Sequence, residues 1–97
     1  MTKKSNGSRK PSRDTLLEFP CRFPIKAMGR ASEGFQAIVT HIVRGHAELW
    51  PGESVRCNES RNGNYLAVTV RVMAESREQM DRIYQDLVDH EHVTMAL

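Results

Sequence analysis

Ninety-seven residues, 39% of them apolar and 27% charged, make one small core with an appended tail and leave no room for a second domain. The longest apolar runs are broken by Lys26, Arg44 and Arg71, so none reaches the roughly 18 residues of a membrane-spanning helix, and a soluble protein without membrane contact is expected. The net charge of +2 is unevenly spread: five Lys/Arg against Asp14 alone fall in the first fourteen residues, and the rest carries a slight acidic excess.

Residues 1–15 form a basic leader rich in Ser, Gly and polar side chains. With no apolar side chains to bury between Thr2 and Thr15, it is expected to be disordered. It has the positive charge of a signal peptide's start without an apolar stretch behind it, so a cytoplasmic location is expected. Cys21 and Cys57 are then free thiols in a reducing compartment.

The folded part, residues 16–97, begins where the composition turns apolar. Phe23, Ile25 and Ala27 alternate with Arg22, Pro24, Lys26 and Met28, the period of a half-buried strand, with Pro20 and Pro24 favouring a late or irregular start. From Ser32 to Arg44 the period changes, and Phe35, Ile38, Val39, Ile42 and Val43 make one helical stripe. Ser32 is the expected N-cap, Glu33 suits the positive end of the dipole, and Gly45 stops the helix.

Trp50-Pro51-Gly52 reads as a turn, and Val55 and Cys57 alternate with Arg56 and Asn58 in a short, polar segment suited to a sheet edge. Asn62-Gly63 signals a type I′ hairpin. Leu66, Val68, Val70 and Val72 then alternate with Tyr65, Ala67, Thr69, Arg71 and Met73 in the most apolar strand, which is expected to be central. Ser76 with Gln79 forms a capping box ahead of a second helix to Asp89, whose stripe is Met80, Ile83, Tyr84, Leu87 and Val88. Val93, Met95 and Leu97 alternate with His92, Thr94 and Ala96 in a last strand.

This order, βαββαβ, is the ferredoxin-like α+β sandwich. Right-handed crossovers place both helices on one face of a four-stranded antiparallel sheet of order 4-1-3-2 and leave the other face open.

The segments Leu17-Glu18-Phe19-Pro20 with Phe23, Lys26, Met28 and Gly29, Gly63-Asn64-Tyr65 with Val68 and Thr69, and Tyr84, Leu87, Val93, Met95 and Leu97 resemble the YbeD-like bacterial proteins of uncharacterised function. The resemblance runs from Leu16 to Leu97 and departs from the family at Ala67, where serine is frequent, and in the basic leader. It implies a bacterial cytoplasmic protein whose fold is close to the ACT regulatory domains, a link with lipoate metabolism through gene neighbourhood, and no catalytic activity.

The residues themselves give catalysis little support, because no nucleophile stands in a recognisable unit with a base and an orienting group. Cys21 and Cys57 fall on strands separated by strand three. His90-x-His92 offers two imidazoles, while His41 and His46 lie in or just after the first helix a layer away, so neither a metal site nor a cofactor is expected. The open face should display Lys26, Met28, Tyr65, Thr69, Arg71 and Met73 as a partner surface. One tyrosine at its edge is too few rings for an RNA-recognition sheet.

The turn Met28-Gly29-Arg30-Ala31-Ser32-Glu33-Gly34-Phe35 is the better candidate for a ligand. Helix-start amides attract anions, glycines admit a ligand to the backbone, and Arg30 adds charge. ACT domains bind small regulatory ligands at the corresponding loop, so the resemblance points to Gly29, Arg30, Ser32 and Gly34, although the aspartate that commonly precedes the glycine is absent here. The plainer alternative is that the glycines only permit a tight turn. The expectation is a non-enzymatic regulatory or interaction module, dimeric through its sheet edges, that senses a small anionic metabolite or engages a protein partner. The alternative is a nucleic-acid-associated protein using the leader and the Lys26/Arg71 face, with salt sensitivity separating the two.

Overall fold

The computed structural model describes residues 18–97, so the basic leader and the start of the domain at Leu16 lie outside the described residues. Six elements make up the chain in order: β1 (Cys21–Arg30), α1 (Phe35–Arg44), β2 (Val55–Glu59), β3 (Tyr65–Ala74), α2 (Arg77–Asp89) and β4 (Met95–Ala96). The antiparallel sheet has the order β2-β3-β1-β4, which is the expected order read from the opposite edge. The βαββαβ sandwich is therefore realised, with β3 and β1 in its centre.

β1 and β3 pair residue for residue from Cys21↔Ala74 to Arg30↔Tyr65. Their alternation sends Phe23, Ile25 and Ala27, and Val68, Val70 and Val72, to one buried layer. β1 starts at Cys21 and runs straight through Pro24. Lys26 exchanges both backbone bonds with Leu97, so Pro24, two residues back on the same edge, lies past the end of β4 and its missing N–H costs no ladder bond.

α1 covers the layer with Phe35, Val39 and Val43, and α2 with Met80, Ile83 and Leu87. Burying a side chain such as Ile83 or Leu87 contributes about 1.5–3 kcal/mol each. Val88, expected in this stripe, is 52% exposed, because it lies about 100° around the helix from Leu87, which faces the core.

Several local expectations are corrected. Ser32 does not cap α1: the N-cap is Gly34, in the left-handed region at φ 91° with no side-chain cap bond. Gly45 does end the helix, but with a right-handed φ of −68°, its amide reaching the carbonyls of His41 and Ile42. The β2–β3 connection is not a two-residue type I′ turn. Register pairs Glu59 with Leu66, Ser60 N–H donates to the Tyr65 carbonyl, and Gly63, at φ 75°, donates to Ser60. This longer loop needs the left-handed glycine but not the tight hairpin.

The last strand is shorter than expected and in the opposite phase. Val93 is buried before it begins, Ala96 packs on the core, and Met95 and Leu97 are 49% and 54% exposed. The chain bends at Thr94, whose amide and hydroxyl both donate to the Met28 carbonyl. That bend breaks the alternation between Val93 and Met95.

Candidate functional site

The β1–α1 turn is built around two glycines with different duties. Gly29 is buried, and a Cβ there would lie 2.6 Å from the Phe35 ring and still closer to the His92 carbonyl; its lack of a side chain lets the first residue of α1 pack onto the backbone of β1. Gly34 has open space around it but needs its positive φ. Between them Ala31 donates to the Asn64 carbonyl at 2.8 Å, which ties the turn to the β2–β3 loop.

Arg30 and Ser32 face a cleft of about 310 Å³ whose other wall is the α2–β4 connection, with Glu91, His92 and Thr94. Of the four residues expected to bind a ligand, the structure thus brings Arg30 and Ser32 to one cleft, while Gly29 and Gly34 shape the turn and are not among its lining residues. Beyond Ser32 the chain enters α1, whose first turn holds no acidic side chain and no side-chain cap; the Phe35 N–H donates to the Ser32 carbonyl at 3.2 Å, and the residues of α1 are not among those that line the cleft.

On the opposite wall, the backbone N–H of His92 donates to His90 Nδ1 at 3.1 Å, and the two rings meet edge to face at 5.2 Å. The first imidazole is thereby engaged in holding the turn. Among the described residues no cluster of three or more His, Cys, Asp or Glu side chains is arranged to hold a metal ion. Cys21 and Cys57 are free thiols in register with Ala74 and Val68, at different levels of the sheet.

The second candidate surface is the helix-free face of the sheet. Lys26, Met28, Tyr65, Thr69, Arg71 and Met73 alternate with the buried residues of β1 and β3 and all lie on it. Arg22 and Arg56, which alternate with the inward residues of their strands, join them, as does Trp50, which lies outside the strands that periodicity predicts. Residues 48–50 continue the sheet edge alongside β3: Met73 N–H donates to Glu48, Trp50 N–H donates to Arg71, and Leu49 bridges Val72. A signal is present in the sequence, since Ala47 and Leu49 alternate with Glu48 and Trp50, and the first two pack on the core.

The Arg22 guanidinium lies 3.5 Å from the centre of the Trp50 ring, a cation–π contact. Arg22, Phe23, Pro24, Trp50 and Arg71 line a depression of about 230 Å³. Arg56 is paired with Glu53 at 3.7 Å, and Arg71 only reaches the Glu53 carbonyl at 3.5 Å.

On the far side of the core, His46 Nε2 meets Asp86 at 2.6 Å, and Gln79 donates to the His46 carbonyl at 3.0 Å. This pair fastens the end of α1 to α2. His46 is half-buried in this contact, whereas His41 is exposed.

A family described as "Protein of unknown function (DUF493)" matches residues 14–97. A UPF0250 protein of Nitrosomonas europaea is 44% identical over 84 residues, covering 87% of this chain and 97% of the relative. One from Chromobacterium violaceum is 45% identical over 82 residues, covering 84% and 92%. Among solved structures, a protein of H. pylori superposes with a TM-score of 0.68 at 14% identity, covering 93% of this chain and 90% of that one. The ACT domain from the GTP pyrophosphokinase of Chlorobium tepidum does so at 0.61 and 10% identity, covering 78% and 84%. These two likenesses show the shared fold.

Proposed function

The chain belongs to the DUF493 (UPF0250) family, and from that premise we propose that it is a non-enzymatic regulatory module that binds a small anionic molecule in the cleft between the β1–α1 and α2–β4 turns. The observation that carries this reading is the convergence of Arg30 and Ser32 with His92 and Thr94 around one cleft. Arg30 supplies charge, and the dipole of the nearby α1 N-terminus favours the same sign of ligand. Thr94 already donates its hydroxyl proton to Met28, so toward a ligand its oxygen acts as an acceptor. Glu91 on the rim sets a selection: a ligand that pairs its anionic group with a donor or a cation fits better than a bare polyanion.

Titrating the 15N-labelled protein with small carboxylates and phosphates at millimolar concentration should shift the amides of Gly29 to Phe35 and of Glu91 to Thr94 first. Arg30→Ala should weaken those shifts about tenfold while leaving the melting temperature nearly unchanged, since an exposed turn arginine contributes little to stability. Absence of shifts across such a panel, or shifts confined to other regions, would overturn the reading.

A further inference from the structure

The open sheet face combines unpaired cations with exposed apolar side chains, and the proposed cleft uses neither. Among the described residues no carboxylate lies within 4.0 Å of the charged groups of Arg22, Lys26 or Arg71. The arginines converge on the depression floored by Trp50 and Pro24. Beside them, Met28 stands opposite Met95 in the β1–β4 register, and Leu97 is bonded to Lys26. Half-exposed Met95 and Leu97 thus extend an apolar strip along the flank of the cationic one.

We propose that this face is a docking surface for an acidic segment of a partner protein, with carboxylates seated between Arg22 and Arg71 and apolar side chains laid over Met28, Met95 and Leu97. Charge complementarity selects this occupant. A second copy applied face to face would bring Arg22, Lys26 and Arg71 against themselves, which like-charge repulsion opposes. A single-stranded nucleic acid would need open aromatic faces for its bases, but the Trp50 ring is already covered by Arg22, and Tyr65 lies at the far end of β3. A carboxylate needs no ring. It takes guanidinium donors, and the paired strands β1 and β3 hold Arg22 and Arg71 on one face.

The proposal is tested with the full chain and an acetylated, amidated octapeptide alternating glutamate and leucine, compared with its glutamine–leucine counterpart and with an oligothymidylate. The glutamate peptide should shift the Trp50 indole N–H and the amides of Lys26, Met28 and Arg71, and bind about tenfold more tightly than the glutamine peptide. Arg22→Glu with Arg71→Glu should abolish that difference, and Lys26→Glu alone should reduce it, with circular-dichroism melting confirming that each variant is folded. Equal affinity for the two peptides, no perturbation on this face, displacement of the peptide by lower concentrations of oligothymidylate, or a self-associated protein whose face is filled by a second copy would each overturn it. Shifts confined to the Arg30–Thr94 cleft would overturn it too while leaving the cleft reading intact.

Discussion

Glycine and serine each occur twice where the chain turns into or toward a helix, and each pair splits by its surroundings. Gly29 is required by space and Gly34 by backbone angle. Gly29→Ala must push a Cβ into the Phe35 ring and the His92 carbonyl, an overpacking that should cost about 1–3 kcal/mol. Gly34→Ala meets nothing and loses only the left-handed preference, about 1–2 kcal/mol. Urea denaturation should rank the two in that order; a larger loss for Gly34→Ala would show that the ring moves aside freely. Ser76 has an extended backbone and accepts from Gln79 N–H at 3.1 Å, so Ser76→Ala should cost about 1 kcal/mol. Ser32→Ala should be near neutral in the same experiment, because Gly34 has taken the cap position. A sequence shows that Ser and Gly both stand near a helix start; which of them becomes the N-cap depends on the path that Phe35 forces on the turn.

Among the elements, legibility tracks length and the number of faces that a residue pattern must satisfy. β3 and α2 are readable because long runs agree with one period, and the box at the start of α2 forms with a small change: Gln79 Oε1 accepts from Glu75 N–H, one residue earlier than the cap. β4 defeats the same reasoning because a pair of residues, Met95 and Ala96, is too short for alternation to separate it from the preceding turn, where Val93 already fills the core. The edge at residues 48–50 is hidden by Trp50-Pro51-Gly52, whose turn chemistry describes the chain after Trp50 and not the residues before it. The arrangement of α2 on the sheet is checked by substitution. Leu87→Ala and Val70→Ala, both fully buried, should each cost on the order of 2–4 kcal/mol, whereas Val88→Ala, half exposed, should stay within about 0.5 kcal/mol. A Val88→Ala loss as large as that of Leu87→Ala would mean that α2 is rotated on its axis from the position described.

At the scale of the molecule, charge and rigidity are both distributed unevenly, and neither is visible in totals. From Thr15 onward nine Lys/Arg face eleven Asp/Glu, yet the open face is cationic at Arg22, Lys26 and Arg71, because acidic residues such as Glu78, Asp81, Asp86 and Asp89 collect on α2. The sequence contains these charges, but only the strand register shows which of them share a face. Rigidity obeys the same geometry. β1 and β3 are central and paired along their whole length, with both helices over their buried layer, whereas β4 is short, pairing through Ala27↔Ala96 and Met28↔Met95 with flanking bonds from Leu97 to Lys26 and from Thr94 to Met28, and residues 48–50 hold β3 by an isolated bridge and its flanking bonds. Opening the periphery exposes little apolar surface, so it should cost far less than unfolding the centre. In native-state hydrogen exchange, the amides of Ile25 and Val70, opposite each other in the central pair, should exchange only through global unfolding and respond strongly to added denaturant. The amides of Leu97 and Trp50, which donate to Lys26 and Arg71, should exchange at least about tenfold faster, through local openings with almost no denaturant dependence. Both flank the cationic face, so an acidic peptide bound there should slow Leu97 and Trp50 while leaving Ile25 and Val70 limited by the stability of the whole domain. Equal exchange at all four amides in the free protein would mean that the edges open only with the core, and that the docking surface is as rigid as the layer beneath it.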